Sequence, residues 1–519
     1  MLLGEIAQQR GDYALSAKTY LELARSSRDP RIARRAVEVA NQGRLQDLAL
    51  DAAKTWYELE PQSAAPLSVV ASLLVSARKV DEAEPYLQKL LEAEGVDLER
   101  GYLQLNRLLA GNPDKAANLR VVRNLAARHP ELAPARLAMA QAAAAAGNEP
   151  MALAEVRRAA EIKPDWEAPA IFEAQLLQKR SNAEAAKRLA QFVEKNPSSR
   201  QGRLAFARAL MADKRAPEAR KQYEALLAAN PNDAELVYTI GILAFQVKDY
   251  AVAEDNMKRL IALPDYRDPD SARFILGQIA EEQKQWPRAI QWYEAIEDGE
   301  QALPARLRTA NAIAKQGKLD AAREYLHKTA ADHPGQEVQF TVAEAQLLRD
   351  ANRTQDAYRL LGEALKSEPD QPELLYDFAL TAEKLEKYDA LESNLRKLIE
   401  VKPDHAHAYN ALGYSFAERN TRLGEARKLV EKALELAPED YFIIDSFGWV
   451  QYREGDLKGA AQTLRRAYDG RPDAEIGAHL GEVLWMLGQR GEANRIWQES
   501  LKSAPDNETL LKTIKRLRK

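Results

Sequence analysis

The apolar positions of this chain recur at helical spacing from one end to the other. Leu480 and Leu484 lie four residues apart in one short segment, and Leu412 and Phe416 repeat that spacing in another. Such an i, i+3, i+4 pattern places apolar side chains on one face of an α-helix. Short polar breaks that contain glycine, such as Gly147-Asn148, end these segments as a helix C-terminus requires. The pattern therefore predicts an all-α chain of short amphipathic helices.

Three registers of small or breaking residues repeat in phase along the chain. Prolines recur 33 to 35 residues apart within two runs, Pro130, Pro164, Pro197, Pro231 and Pro264, then Pro334, Pro369, Pro403, Pro438, Pro472 and Pro505. Pro61 belongs to the same series, and Gly95 and Val96 stand where the next proline is due. About twelve residues before each proline comes a small residue, such as Ala253 or Ala493, and twelve residues earlier a glycine or alanine, such as Gly241 or Gly481.

These registers indicate a repeated pair of closely packed helices. Two helices approach closely only where small side chains remove the bulk between their backbones. Proline then closes each pair because it cannot continue a helix but fits the first turn of the next one. Each pair buries its apolar face against its neighbours, so the core extends along one axis and the 519 residues need no division into separate globular cores.

Residues 406–438 carry the pattern most completely, as Tyr409, Leu412, Gly413, Phe416, Ala426, Ala433 and Pro438. This pattern resembles the tetratricopeptide repeat. The resemblance implies an all-α tetratricopeptide-repeat solenoid, a right-handed superhelix of about fifteen helix pairs with a C-terminal capping helix. It also implies a protein that holds other proteins.

The regularity of the repeat divides the chain into four segments. We predict an N-terminal repeat array over 1–264, an irregular repeat over 265–304, a C-terminal array over 305–505 and a capping helix over 506–519. The irregular segment is either a longer loop or a joint between two halves. Gly4 stands at the eighth position of its repeat, so the first helix is expected to lack its opening turn and the natural protein to begin upstream. In the capping helix, Leu510, Leu511, Ile514 and Leu517 are expected to face the last repeat.

Composition and charge disfavour several classes of function. The 74 basic and 78 acidic residues are interspersed, so the basic excess expected of a nucleic-acid-binding protein is missing, and RNA binding is disfavoured. The absence of cysteine excludes disulfides, thiolate catalysis and cysteine zinc sites. His405 and His407 point to different sides of a helix start, so they predict no metal site. No nucleophile elbow or phosphate loop occurs, and we predict no enzyme, no cofactor and no metal.

The candidate docking residues follow from the repeat register. The resemblance implies that positions two, five, nine, twelve and thirteen of each repeat face the concave surface. In the C-terminal repeats these positions hold Tyr376, His407, Asn410, Tyr414, Phe442, Asp445, Trp449, Tyr452, Arg453, Glu482, Trp485 and Met486. Aromatic residues flanked by arginine and acid are typical of protein-binding hot spots. Alternatively, several of these rings pack between neighbouring helices, Trp449 and Trp485 above all.

A second candidate surface lies near the N-terminus. Residues 25–35 contain five arginines, among them Arg31, Arg34 and Arg35, and a proline at a helix start. These arginines form a local positive site that could dock a partner. The alternative is an ordinary solvated helix surface, which a charge run usually indicates.

Two parts of the chain resemble a narrower group. Residues 11–21 with 29–36, and the closing repeats at 409–506, are similar to proteobacterial outer-membrane lipoproteins built from these repeats, and most of all to adaptors that bind and activate a periplasmic carboxyl-terminal processing protease. The resemblance implies that serine protease as partner and peptidoglycan cross-link hydrolases as its substrates. It implies a location at the periplasmic face of the outer membrane, through a lipid anchor upstream of this chain. The alternative is a structural scaffold of a pilus or secretion assembly without a protease.

Overall fold

The computed structural model describes residues 1–93 and 97–518, so Gly95 and Val96 lie outside the described residues. Within them all regular structure is helical, with 31 α-helices and one turn of 3-10 helix at Leu109–Gly111. The predicted all-α fold is confirmed. The chain divides into two compact units, Met1–Tyr266 (unit 1) and Arg267–Lys519 (unit 2). None of the described helices is long and apolar enough to cross a membrane.

Unit 1 is a stack of eight helix pairs. Its helices are α1 Leu2–Gln9, α2 Tyr13–Ser27, α3 Pro30–Gln42, α4 Gln46–Leu59, α5 Ala64–Ser76, α6 Val80–Glu92, α7 Leu98–Leu108, α8 Lys115–Ala126, α9 Ala133–Ala145, α10 Glu149–Ile162, α11 Glu167–Gln178, α12 Asn182–Lys195, α13 Arg200–Ala212, α14 Ala216–Ala229, α15 Ala234–Gln246 and α16 Tyr250–Ile261. Odd-numbered helices are the first helices of their pairs, and even-numbered helices are the second.

Unit 2 contains seven pairs and one further helix. Its helices are α17 Pro269–Glu282, α18 Trp286–Glu294, α19 Ala302–Lys315, α20 Leu319–Asp332, α21 Glu337–Asp350, α22 Thr354–Ser367, α23 Pro372–Lys384, α24 Tyr388–Val401, α25 Ala406–Glu418, α26 Leu423–Leu436, α27 Tyr441–Arg453, α28 Leu457–Gly470, α29 Ala474–Met486, α30 Arg490–Ser503 and α31 Glu508–Leu517. The described helices thus form the predicted fifteen pairs, and α31 packs on α29 and α30 as the predicted cap. The superhelical hand and the four-segment division stay predictions.

The glycines of the first helices are required by large side chains on the second helices. A Cβ atom on Gly481 would lie 2.0 Å from Nε1 of Trp497, and one on Gly277 would lie 2.3 Å from Cε1 of Tyr293. At Gly413 the same atom would lie 2.9 Å from the backbone oxygen of Ala426. The small residue was expected to meet the alanine of the second helix. It also makes room for the large residue four positions after that alanine.

Most turns between paired helices contain a residue with positive φ. The predicted breaks at Gly147, Gly317 and Gly455 have φ of +75°, +79° and +93°, which glycine adopts without strain. In other pairs a non-glycine residue occupies the corresponding turn with φ between +54° and +61°, at Arg44, Arg78, Lys214, Lys248, Lys284, Asn352, Glu386 and Asn420. The turn geometry is therefore common to many pairs although glycine is not.

Two elements depart from the regular pattern. The second helix α18 has only 9 residues, and the chain from 295 to 301 is a loop before α19. In the cap, Leu510 is fully buried, but Leu511 is 45% exposed. The expectation that Leu511 faces the last repeat was wrong, because Leu510 and Thr513 are the fully covered positions of α31.

Candidate protein-binding groove of unit 2

The first helices of unit 2 border a row of clefts, which we call the unit 2 groove. A cleft of about 600 Å³ between α17 and α21 shares Leu307, Ala343 and Gln346 with a second cleft of about 450 Å³, which extends to the start of α25. A third cleft, of about 340 Å³, is bordered by helices from α23 to α31. The clefts expose side chains of successive repeats, so the groove suits an extended segment of a partner.

The second cleft has a largely apolar wall, and we call it the apolar cleft. Val338 and Val342 of α21, with Leu307 and Tyr376, line it. Polar side chains complete the lining, among them Arg349, which pairs with Asp377 at 2.7 Å. Burial raises the pKa of Tyr376 above its ordinary value, so its hydroxyl is a neutral group. The apolar cleft therefore offers a wall for an apolar side chain and polar groups for hydrogen bonds.

The third cleft, which we call the acidic cleft, is bordered by Glu383, Tyr414, Glu418, Trp449, His479 and Glu482. At its base Nδ1 of His479 lies 2.8 Å from Oδ2 of Asp445, and both side chains are buried. The Trp449 ring stacks on the His479 ring at 4.2 Å, and the Tyr414 hydroxyl lies 3.4 Å from Nε2. Burial lowers the pKa of His479, but the Asp445 carboxylate outweighs that effect and raises it above its ordinary value. The base of this cleft is thus an ion pair that joins α27 to α29.

Further hydrogen bonds join three consecutive first helices and the capping helix α31 at the acidic cleft. Nε1 of Trp449 donates to Glu418 at 2.9 Å, and the Tyr452 hydroxyl donates to Glu482 at 3.0 Å. Arg516 of α31 donates to the other carboxylate oxygen of Glu482. Arg453 donates to the backbone oxygens of Ala417 and Glu418. These bonds fix the wall of the cleft because each one crosses between neighbouring helices.

The predicted docking residues fall into three groups by exposure. Phe442, which is 40% exposed, and His407 and Met486 are accessible. Half-buried residues form the second group, Tyr376, Asn410, Tyr414, Tyr452, Arg453 and Trp485. Asp445, Trp449 and Glu482 are buried, and Trp449, at 4% exposure, packs between helices as the alternative interpretation held. That these residues bind a partner stays a prediction.

Several residues of the acidic cleft were not predicted from the sequence. Glu383 and Glu418 stand at positions twelve and thirteen of their repeats, so the register could have identified them. His479 stands at position six, outside the inward-facing set, and no sequence signal marks it. Thr513 and Arg516 reach the cleft only because α31 folds back on α29.

The N-terminal arginines interact with acids of their own neighbourhood. Arg31 pairs with Asp29 at 2.7 Å and Arg34 with Glu38 at 3.1 Å. Arg35 also pairs with Glu38, and it is half-buried. Much of the positive charge of this surface is therefore compensated within the chain, and a docking role for it stays a prediction.

Comparisons with known proteins agree with the repeat geometry. One profile of the tetratricopeptide repeat matches residues 238–304 and 376–441, and a second profile of the same repeat matches residues 176–240. The chain therefore contains repeats of the kind that commonly form protein-interaction scaffolds. It belongs to the tetratricopeptide-repeat proteins, because it is 33% identical over 521 residues to the TPR repeat-containing protein PA4667 of Pseudomonas aeruginosa, with 100% of this chain and 87% of that protein covered.

Solved structures with the same helical architecture are more distant. The thermophilic TPR protein TTC0263 of Thermus thermophilus is 24% identical, with a TM-score of 0.32 over 35% of this chain and 97% of its own. A chain from the structure of Naa15/Naa10 bound to HypK-THB is 13% identical, with a TM-score of 0.37 over 99% of this chain and 95% of its own.

Proposed function

We propose that this chain is a non-enzymatic adaptor that binds a periplasmic carboxyl-terminal processing protease, activates it and brings it substrates such as peptidoglycan cross-link hydrolases. The observation that carries the proposal is the unit 2 groove, where an apolar cleft and an acidic cleft lie along successive first helices. A repeat scaffold with this groove suits the capture of an extended segment. The identity of the partner is supported by the resemblance of residues 11–21, 29–36 and 409–506 to lipoprotein adaptors of such proteases.

The adaptor acts through proximity. Holding protease and substrate on one scaffold converts their encounter into an intramolecular event and raises their effective mutual concentration to the order of millimolar. A second contribution arises when the adaptor binds the active conformation of the protease more tightly than the inactive one. Neither contribution needs a catalytic group on the adaptor.

The proposed place of action is the periplasmic face of the outer membrane. An acylated cysteine in a segment upstream of this chain would supply the membrane anchor. The support for this location is the same resemblance of the N-terminal and closing repeats to outer-membrane lipoproteins.

Cleavage kinetics test the adaptor role. Adding the purified chain to the protease and a cell-wall hydrolase should increase the cleavage rate by about tenfold or more, as expected for an effective concentration far above that of the free partners. Val342→Lys places a charge in the apolar cleft and should abolish most of this increase. Val401→Lys is the matched control, since Val401 is 43% exposed and lies outside the groove.

The outcomes separate the two functions. No increase at saturating adaptor, together with co-purification of pilus or secretion components, would reject the protease role in favour of the assembly scaffold. Equal activation by both lysine variants would show that the docking surface lies outside the apolar cleft.

A further inference from the structure

Two buried polar atoms without a hydrogen-bond partner border the acidic cleft. They are Ser415 Oγ and a terminal guanidinium nitrogen of Arg419, and a third such atom, Asp445 Oδ1, belongs to the carboxylate that binds His479 at the base of the cleft. Native proteins satisfy most buried polar groups, so unsatisfied ones that share a cleft point to a missing ligand. The Ser415 hydroxyl can accept a hydrogen bond from a ligand in the cleft, and the Arg419 nitrogen can donate one to it. A ligand that carries both donors and an acceptor would satisfy both atoms.

The buried side chains at the acidic cleft limit the kinds of ligand that can bind there. Ser415 borders the acidic cleft and is 1% exposed, so its Oγ can reach only a group that enters the cleft. Asp445 is almost as completely buried, and only one of its two carboxylate oxygens is bound, by His479. Leaving the other oxygen unsatisfied is costly in a site of low dielectric constant. A positive charge in the neighbouring cleft would lower that cost electrostatically.

The charges around the cleft favour a cation. Among the described residues, Glu383, Glu418 and Glu475 have no ion-pair partner, and all three influence the Tyr414 hydroxyl electrostatically. Burial raises the pKa of Glu383 most strongly. The positive charge of Arg419 opposes this rise, and Glu418 adds to it. A carboxylate destabilised by burial and by a second carboxylate is stabilised by an incoming positive charge.

The arginines already present are held by other groups, except for the one terminal nitrogen of Arg419 that has no hydrogen-bond partner. Arg419 lies over the Tyr388 ring at 4.3 Å, and Arg453 is bound to two backbone oxygens. Arg516 pairs with Glu482. The carboxylates that line the cleft, those of Glu383, Glu418 and Glu482, outnumber the guanidinium groups of Arg419 and Arg516 by one, since His479 is paired with Asp445. One negative charge is therefore uncompensated. One incoming cation would neutralise it.

We propose that the acidic cleft receives an arginine side chain from an extended segment of the docking partner. The guanidinium group carries five N–H donors in a planar fork, which suits several separate acceptors better than the compact ammonium of lysine does. Glu383 and Glu418 supply the carboxylates, and Ser415 Oγ supplies a neutral acceptor. The free nitrogen of Arg419 binds a backbone oxygen of the same segment. The inference rests on the proposed function only in assigning this segment to the partner.

Peptide titration tests the arginine site. The probe is a ten-residue Gly-Ser peptide with one central arginine, compared on the full chain with peptides that carry lysine or the neutral isostere citrulline. We expect the arginine peptide to bind about tenfold more tightly than the citrulline peptide, as for one charge-assisted hydrogen-bonded pair. The lysine peptide should bind with intermediate affinity. Equal affinities for arginine and citrulline, or no binding of the arginine peptide at millimolar concentration, would overturn the proposal.

Charge-neutralising variants locate the site. Glu383→Gln with Glu418→Gln should remove the preference for arginine over citrulline. Glu400→Gln with Glu439→Gln is the matched control, because both of these acids are exposed and lie outside the cleft, and it should keep the preference. Thermal unfolding of both double variants checks that they remain folded. If the Glu383→Gln, Glu418→Gln double variant still prefers arginine over citrulline, the arginine binds elsewhere and the proposed site is wrong.

The two proposals fail in different ways. Protease activation without an arginine preference would reject the arginine site and leave the adaptor role standing. An arginine preference without activation would reject the protease partner and leave the site standing.

Discussion

At the level of single residues, Gly481 is a position where an added methyl group is expected to disturb the packing of the helix pair strongly. Trp497 is fully buried against the α29 backbone, and a Cβ on Gly481 would lie 2.0 Å from its Nε1. Because the indole ring has no free space to move into, we expect Gly481→Ala to lower the free energy of unfolding by about 1–3 kcal/mol, the usual cost of overpacking. Urea denaturation followed by circular dichroism measures this loss.

Gly491→Ala is the control for that substitution. Gly491 is an exposed residue of α30, and a Cβ there would meet no atom within 4 Å. Alanine at this site should leave stability unchanged or raise it by up to about 1 kcal/mol, through its higher helix propensity. A second check is Trp497→Phe in the Gly481→Ala background, which should recover part of the loss. Equal losses at Gly481 and Gly491 would show that overpacking is not the cause.

The buried pair of His479 and Asp445 predicts a pH-dependent contribution to stability. The Asp445 carboxylate raises the pKa of His479 despite burial, while the unfolded value is about 6.5. The pair therefore stabilises the fold fully below that value and loses its contribution as pH rises through the raised folded-state pKa. We expect the loss of unfolding free energy caused by His479→Gln to be larger near pH 5.5 than near pH 9, as measured by urea midpoints.

The exposed His407 supplies the comparison for His479. His407→Gln should cause a small loss of stability at both pH values, since its side chain is largely solvated. A loss at His479 that stays constant with pH, or that grows with rising pH, would contradict the ion-pair interpretation.

Individual residues also show how far the sequence can predict the candidate site. The repeat register placed Asp445, Trp449 and Glu482 on the inner face, and that face does border the acidic cleft. It could not show that these side chains are covered, because their partners lie on other helices. His479, for example, is 34 residues from Asp445. Register follows from local spacing, but burial follows from contacts between repeats.

At the level of elements, the capping helix α31 has one fully buried leucine. Leu510 is fully buried, whereas its neighbour Leu511 is 45% exposed. We expect Leu510→Ala to destabilise the attachment of α31 by about 2–4 kcal/mol through lost burial and a residual cavity. Hydrogen exchange of the α31 amides should then become faster. Leu511→Ala removes the same atoms from an exposed site and should change exchange little. Equal effects of the two variants would contradict the observed orientation of α31.

The helix turns show why element boundaries are only partly predictable. Glycine marks breaks such as Gly317 and Gly488, where φ is positive. Lys284 and Asn352 adopt the same backbone conformation without glycine, at a cost of roughly 1–2 kcal/mol each. The packing of the two helices across the turn offsets this cost, and the local sequence does not reveal such packing. The sequence therefore predicts the number of turns through the repeat period better than the residue at which each turn occurs.

For the whole molecule, the repeat period predicted the fold and its fifteen pairs because each pair contacts mainly its neighbours in the chain. The division into two compact units between Tyr266 and Arg267 follows from contacts along the whole chain. The sequence pointed to irregularity nearby, through the extra prolines of 265–304, but periodicity alone does not give the position of the boundary.

Two compact units of locally stabilised repeats predict unfolding in more than one transition. Buried clusters of unit 1, such as that around Val121 and Leu125, contain no residue of unit 2, and the clusters around Leu412 and Leu480 contain none of unit 1. Stability in a repeat array depends mainly on contacts between neighbouring repeats. We therefore expect Gly481→Ala to lower the urea concentration at which the α17–α31 amides lose protection from hydrogen exchange, and to leave exchange in α1–α16 unchanged. Hydrogen exchange read along the chain separates the two responses. The isolated segment 267–519 should fold with the same helical content per residue. If the full chain unfolds in a single transition that shifts as a whole in Gly481→Ala, both units unfold as one cooperative body and the prediction is wrong.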